Sequence, residues 1–505
     1  MGNEAHDLGP GGGRVGPDGG LTAVIGAGPA GLTAAYVLAA RGEPAVVFEA
    51  GDTVGGIART VIWDGYRFDL GGHRFYTKVE AIQRLWEHVL GDEFIVRPRL
   101  SRIYFHGSYF AYPLQVRDVI RGLGVVESLR CAMSYFRSRL RGARPEITFE
   151  DWVVARFGRR LYNTFFGPYT EKVWGIPGSE LRAEWAAQRI KDFSFAHALK
   201  SLVGIQRDDV TTLIEEFHYP RLGPGQMWET FAARVESGRI PVRLRTPVVT
   251  IRHFGNRVMS VVTQCDAAVE ETPVGAVLSS MALSDLVLSL DPPAPAEIRA
   301  AAESLSYRDF CLVALVIDTE QPFPDNWIYL HDPGVRAGRV QNFGAWSPAM
   351  VRPGTTCLGA EYFCSEGDEI WEMDETELIA MTVAEMHRIG LVDPATVIDG
   401  VRVRVPRAYP IYDESYAEAL ALIHGYLASF ENLATFGRNG MHRYNNQDHS
   451  MWTAILATLN HLDGTRHDVW AVNTEQAYLE EGKLVDELLE LELAVELGAA
   501  RQRPQ

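Results

Sequence analysis

The stretch from Leu21 to Glu49 narrows the possible folds more than any other part of this chain. A short apolar run, Leu21–Ile25, leads into Gly26-Ala27-Gly28-Pro29-Ala30-Gly31. An Ala/Leu-rich segment follows, and a second apolar run, Ala45–Phe48, ends on Glu49. Gly26 permits a tight turn, Gly28 lets backbone approach a pyrophosphate, and Gly31 lets a helix pack closely on a strand. The helix start around Pro29 and Ala30 offers N–H groups and a positive dipole to phosphates. Glu49 falls about twenty residues beyond the glycines, where a carboxylate accepts both hydroxyls of an adenosine ribose. This spacing predicts an α/β fold with a Rossmann-like dinucleotide-binding domain.

The continuation selects flavin over nicotinamide. Gly55-Gly56-Ile57-Ala58-Arg59-Thr60 and then Phe68-Asp69-Leu70-Gly71-Gly72-His73 follow soon after the acid. A nicotinamide cofactor has no use for a second glycine pair there. A longer cofactor, whose isoalloxazine runs past the first βαβ unit, needs backbone to come close again. FAD is therefore the expected cofactor, and Gly55, Gly56, Arg59, Gly71 and Gly72 join the candidate cradle.

Length and charge bound the remainder. A chain of 505 residues exceeds one hydrophobic core and predicts two or three domains. A formal net charge of −17 argues against a nucleic-acid partner. Without a basic–apolar–small pattern at the N-terminus, secretion is not expected, and residues 1–20 read as a disordered, Gly-rich leader. Val24–Ala40 is the longest near-apolar run, too short and glycine-rich for stable membrane insertion. Cys131, Cys265, Cys311, Cys357 and Cys364 are scattered without CxxC spacing. That pattern fits reduced cytoplasmic thiols and gives no metal site.

The pattern along the chain is interleaved. Cofactor-binding segments are expected at 21–100, 215–295 and 429–480, with a helical substrate or cap domain at 101–214 between the first two. A β-sheet substrate domain is expected at 296–428, and a C-terminal helix and tail at 481–505. Val116–Leu140 has helical apolar spacing, and the arginines from Arg117 to Arg144 read as a solvated face. Phe217–Gly225 is a turn leading into a helix near Gln226-Met227-Trp228. Strands are expected at Val242–Ile251, Val258–Thr263 and Gly275–Ser280, with Val249 placed to meet adenine through its backbone. Cys311–Ile317, Thr356–Phe363 and Val401–Val405, with a helix near 375–390, compose the substrate sheet. Glu480–Leu497 is amphipathic, its leucines covering the core or forming a homodimer face.

Four further stretches carry a resemblance. They are Tyr112-Pro113-Leu114-Gln115, Tyr169-Thr170-Glu171-Lys172-Val173-Trp174, Trp185-Ala186-Ala187-Gln188-Arg189, and the run from Gly437-Arg438-Asn439-Gly440 to Arg443-Tyr444-Asn445-Asn446-Gln447-Asp448-His449. Together they resemble the UDP-galactopyranose mutase family, discontinuously from about Val24 to Asn473, and the longer eukaryotic-type enzymes more than the short bacterial ones.

The resemblance implies roles for individual residues. Tyr112 and Gln115 stand at the uracil end of a nucleotide, and Trp174 stands beside the sugar. Arg189 matches an active-site arginine, and Tyr307, Tyr409 and Tyr444 match tyrosines that grip the diphosphate or line the pocket. Arg438 and Asn446 match residues near flavin and sugar, Gly437 and Asp448 belong with the cofactor, and His73 matches a histidine of the mobile loop under the isoalloxazine. His449, at an expected helix start, reads as structural. Two departures stand out: Thr170 occupies an asparagine position, and Cys311–Ile317 carries no arginine where the longer mutases place one against the diphosphate. Arg339 is the candidate substitute.

The activity so implied is a redox-neutral isomerisation. N5 of reduced FAD attacks the anomeric carbon of a nucleotide hexose and expels the nucleoside diphosphate. The sugar–flavin adduct then lets the ring reclose as pyranose or furanose. The nucleophile is the cofactor's. The protein neutralises the departing diphosphate with guanidinium groups and phenols, with His73, Arg189 and Arg438 as catalytic candidates and NAD(P)H as a candidate reductant. The competing reading is an FAD oxidase or dehydrogenase of the amine oxidase or protoporphyrinogen oxidase type, which shares the cofactor skeleton.

Overall fold

A computed structural model of the chain describes residues 20–112, 122–140, 145–183, 216–265 and 268–472. The leader, Gln115, Arg189 and the 480–497 segment lie outside the described residues.

Thr22–Ile25 and Ala45–Phe48 pair in parallel across the helix Pro29–Arg41, as the glycine motif requires. They sit inside a five-stranded parallel sheet ordered Leu433–Thr435, Ala276–Ser279, Thr22–Ile25, Ala45–Phe48, Val242–Arg243. Alternation of side chains serves two cores, because both faces of a parallel sheet are covered. Val24, Val47 and Leu278 pack against Leu32, Val37, Phe231 and Met451. Those four come from the helices Pro29–Arg41, Gly225–Ser237 and Gln447–Asp463. Ala23, Ile25, Val46, Phe48 and Val277 face the other way, onto Leu286, Ile298 and Ile423. Near-continuous apolar strands are the sequence trace of that double burial.

The expected strand Val242–Ile251 divides in two. Arg245 adopts φ 51° and Pro247 follows, so the chain leaves the parallel sheet after Arg243. It re-enters at Val248–Phe254 in a separate four-stranded sheet with Arg257–Cys265, Ala268–Pro273 and Leu290–Asp291.

A seven-stranded sheet makes the opposite wall of the molecule's main cavity. Its order is Val397–Pro410, Tyr307–Ile317, Thr356–Cys364, Arg339–Asn342, Trp327–Leu330, Ser101–Phe105, Ser108–Ala111. The last two strands correct the expectation that residues from 101 onward are helical. Ser101 and Ile103–Phe105 are all buried with only Arg102 less so, so no clean alternation marks the first strand against the helical run that follows. The described helices beyond it include Val125–Leu140, Phe149–Phe157 and Gly167–Trp174. Apolar spacing in the first of these does not mark a core face. Cys131 and Tyr135 are buried, with the Tyr135 backbone against Gly158, while Leu129, Met133, Phe136 and Leu140 face outward. Among the described residues no helix is long and apolar enough to cross a membrane.

Close approach at Gly31 fixes how the first helix meets its strand: a Cβ there would lie 1.8 Å from the Gly26 carbonyl oxygen. Gly31→Ala is expected to cost about 1–3 kcal/mol or more and to yield protein without bound flavin. Urea denaturation and the flavin absorbance of purified protein check this, and an unchanged midpoint would contradict it.

Candidate functional site

Between the parallel sheet and the seven-stranded sheet lies a cavity of about 1340 Å³. That exceeds the roughly 300–1,000 Å³ of a single drug-sized site, so there is room for a cofactor and a second ligand. Gly26, Gly28 and Ala30 form one end, with Glu49, Gly56 and Arg59 beside them. The Glu49 carboxylate accepts hydrogen bonds from the N–H groups of Ala27 (2.6 Å) and Gly51 (2.7 Å), which hold it across the mouth of the glycine turn. The second glycine pair packs on the first. Gly55 N–H donates to Ala27 O at 2.8 Å, and a Cβ on Gly56 would come within 3.3 Å of Gly28 Cα.

Gly31, Gly55 and Gly437 do not line the cavity; they shape its wall from behind. Gly437 is held at φ 84°, and a Cβ there would meet Ala30 Cβ at 2.7 Å. Arg59 donates to Gly56 O at 2.9 Å, and burial lowers its pKa against the opposing pull of Asp52 and Glu49. Val249 and Asp448 also line the cavity, the latter in the first turn of Gln447–Asp463. His449 sits one residue on and accepts the Asn446 N–H at 3.4 Å, a capping role. An open turn of small residues, a fixed acid and a helix N-terminus fit an adenine dinucleotide.

Gly71-Gly72-His73 closes the cavity's middle. Asp69, fully buried just before it, accepts hydrogen bonds from the hydroxyls of Tyr219 and Thr60, the latter at 3.1 Å. Thr60 Oγ1 in turn accepts the Gly225 N–H at 3.0 Å. The Phe217–Gly225 segment is thereby tied to the base of the histidine turn. Burial pushes the Asp69 carboxyl up to about 7, against those hydrogen bonds. On the far side of the turn, Gly72 abuts the Gln341 side chain, and Gln341 donates to Glu361 at 2.8 Å. Burial, then the nearby Arg438 and Arg339 charges, push the His73 imidazole down to about 3. His73 is thus a neutral hydrogen-bonding ring near pH 7, and its Nδ1 is shielded from solvent with no partner. An orphaned buried nitrogen in a cavity wall calls for a polar occupant.

Beyond His73 the wall is aromatic and cationic. Tyr409 and Tyr444 stack at 5.6 Å, and Trp174 meets both edge-on at 5.9 and 6.3 Å. The Arg438 guanidinium lies 4.0 Å from the Tyr444 ring centre and donates to Ala408 O from Nε (2.9 Å) and Nη2 (2.7 Å). Burial and the neighbouring Tyr444 raise the Tyr409 phenol, so it remains a protonated donor. Arg339 faces the cavity but is already ion-paired with the buried Glu361, its Nε 2.9 Å away. Asn446 and Tyr112 complete the predicted set that reaches the cavity.

Tyr307 does not. It starts the strand Tyr307–Ile317, and its ring packs on His442 at 4.8 Å, outside the cavity lining. The resemblance implied a pocket role for it, and its place at the start of that strand turns it aside. Missed by sequence reasoning were Arg74, Arg99, Tyr329, His331 and a group of phenylalanines, including Phe149, Phe157 and Phe165. Arg74 stood in plain view beside His73, whereas Arg99 sits in a short connection with no periodic signal.

The family described as flavin containing amine oxidoreductase matches residues 29–432. A curated relative from Klebsiella pneumoniae, named "Probable UDP-galactopyranose mutase", is 27% identical over 166 residues, 32% of this chain and 42% of the relative. The chain therefore matches less than half the length of that relative. The crystal structure of a reduced UDP-galactopyranose mutase superposes with a TM-score of 0.79 at 20% identity, covering 90% of this chain and 98% of that one. Putrescine oxidase superposes with a TM-score of 0.58 at 16% identity, covering 88% and 99%. At such identities the likeness to both structures is one of fold.

The buried acid at the base of the histidine turn gives a pH test. Native Asp69 holds its proton to about pH 7, whereas an unfolded aspartate loses it near its ordinary value of 3.8. Between those values the folded state binds more protons, so this contribution to stability is complete below the lower value and is lost as pH rises through the upper. Asp69→Asn keeps a neutral side chain at all pH values. Urea titrations are expected to show a flatter decline in stability for the variant between about pH 4 and pH 7, with the two slopes alike above that. An identical pH profile would contradict the assignment.

Proposed function

This chain belongs to the flavin containing amine oxidoreductase family, and on that premise we propose that it is a flavin-dependent isomerase interconverting the pyranose and furanose forms of a nucleoside-diphosphate hexose. In this reading segments 21–100, 215–295 and 429–480 hold FAD, while 101–214 and 296–428 enclose the sugar nucleotide. The observation that carries it is the junction of a glycine-lined dinucleotide cradle with a wall of Trp174, Tyr409, Tyr444 and Arg438 in one cavity. The 42% of the Klebsiella relative that aligns supports the same direction.

Bound in its reduced form, FAD supplies the nucleophile for the anomeric carbon. The chain's own residues handle everything else. The Arg438 guanidinium is pinned by Ala408 O, so its charge is already oriented when a diphosphate departs. The Tyr409 and Tyr444 phenols donate hydrogen bonds without adding charge. Trp174 offers an apolar face to the sugar and excludes water from the reacting carbon. His73, neutral and anchored through Asp69, can donate or accept beside the cofactor without opposing the Arg438 charge. Tyr112 and Gln115 are proposed for the uracil end, and Arg189 as an active-site arginine.

An oxidase reading draws on a different observation. Phe149, Phe157, Phe165 and Phe166 line the cavity and would suit an apolar substrate.

Anaerobic enzyme reduced by dithionite or NADPH is expected to convert an NDP-hexopyranose into its furanose, read by anion-exchange chromatography, and oxidised enzyme is not. Arg438→Lys is expected to lower kcat about 100-fold, since a point charge does not replace a fixed planar fork. Stoichiometric sugar oxidation with flavin bleaching would favour the oxidase.

A further inference from the structure

Two cavity arginines are left without anions. Arg74 follows His73, and Arg99 precedes the strand Ser101–Phe105; both line the cavity. Arg74 Nη1 and Arg99 Nε are buried from solvent and have no hydrogen-bond partner. Arg99 lies 5.7 Å from the ring centres of both Tyr112 and Trp327, and Tyr112 packs on Tyr329 at 4.9 Å. The two guanidinium groups feel each other: burial lowers the Arg99 pKa first, and the Arg74 charge lowers it further.

The other cavity arginines are compensated. Arg59 has Gly56 O with Glu49 and Asp52 nearby, Arg339 has Glu361, and Arg438 has Ala408 O. Among the described residues no carboxylate pairs with Arg74 or Arg99. Two like charges held together with unsatisfied N–H groups are costly unless a ligand supplies opposite charge.

We propose that Arg74 and Arg99 form a phosphoryl-anion subsite that takes the diphosphate of the substrate, between the His73 end of the cavity and the aromatic platform at Tyr112. The inference rests on the nucleotide-sugar reading and assigns to it a pair of cations that replaces the arginine absent from Cys311–Ile317. A diphosphate brings two adjacent charged groups to two adjacent forks, each able to bind in bidentate fashion. The ring faces of Tyr112 and Tyr329 lie where a base attached to that diphosphate can stack. Arg99 sits in the connection just before Ser101–Phe105, a strand of the substrate-side sheet, and not in the glycine cradle.

The test uses flavin-loaded protein with UDP, uridine and inorganic pyrophosphate as probes, read by tryptophan quenching and thermal shift. Arg74→Met and Arg99→Met, which keep the apolar stem, are each expected to weaken UDP about tenfold or more and to abolish protection by pyrophosphate. Uridine affinity is expected to change by less than about twofold. UDP binding that is unchanged in flavin-loaded variants overturns the subsite and leaves the nucleotide-sugar reading standing. A wild-type protein that binds neither UDP nor pyrophosphate overturns both, and protection by a dicarboxylate instead points to a carboxylate substrate. Loss of flavin from a folded Arg74→Met would place that residue on the cofactor and overturn its assignment. If Arg74→Met does not fold, Arg99→Met alone decides.

Discussion

Guanidinium charge without matching carboxylate is the constraint around which the cavity is organised. Burying a cation in a wall of aromatic rings is unfavourable unless something supplies negative charge or hydrogen-bond acceptors. The chain meets that need in graded ways. Arg339 receives a buried glutamate, and Arg438 receives a backbone carbonyl and the faces of two tyrosines. Arg99 has the rings of Tyr112 and Trp327 beneath it, but among the described residues neither it nor Arg74 receives a carboxylate or a carbonyl, and in the proposed subsite a ligand's anion completes the charge balance. This is an unusual arrangement for an acidic protein, and it is local: the excess of carboxylates is spent elsewhere.

The scaffold makes that arrangement possible by fixing backbone where the cavity narrows. Gly31 and Gly437 allow contacts that any side chain would obstruct, which sets the helix Pro29–Arg41 against both its strand and the C-terminal segment. Asp69 couples the histidine turn to Tyr219 and, through Thr60, to the start of the helix Gly225–Ser237. Two stretches about 150 residues apart thus converge behind one loop. Lys172 does comparable work on the other wall, its ammonium donating to the carbonyl oxygens of Leu330 (2.7 Å), Asp332 (3.0 Å) and Val335 (2.7 Å). Its neighbour His331 stacks on Tyr169 at 3.9 Å and lines the cavity. Fixed loops of this kind let a site keep its geometry while a ligand's charge changes.

The sequence made the cofactor half legible because its physics is local. Turn, close approach, helix start and acid all fall within Leu21–Glu49, and each is visible as a residue type at a spacing. Much of the substrate half was legible only through order and resemblance. Trp174, Tyr409, Tyr444 and Arg438 do come together in the cavity wall. Tyr307 shows the weakness of that route, since its ring packs on His442 and does not line the cavity. Ser101–Phe105 and Ser108–Ala111 lie at the start of a stretch whose later part has helical spacing, and the first of them pairs with Trp327–Leu330, more than two hundred residues away, which no local signal announces. Arg99 could not be found for the same reason: its neighbours Tyr112 and Trp327 are brought to it by tertiary structure alone.

The proposed isomerisation requires the bond between the anomeric carbon and the diphosphate to break while arginines and phenols hold the leaving group. Positional isotope exchange tests it most directly, with ¹⁸O placed in the bridge between sugar and phosphate of an NDP-hexose. Reduced enzyme is predicted to scramble the label into non-bridging phosphate positions, because a freed terminal phosphate rotates before the sugar returns. Label that stays in the bridge while the substrate is turned over would contradict the account.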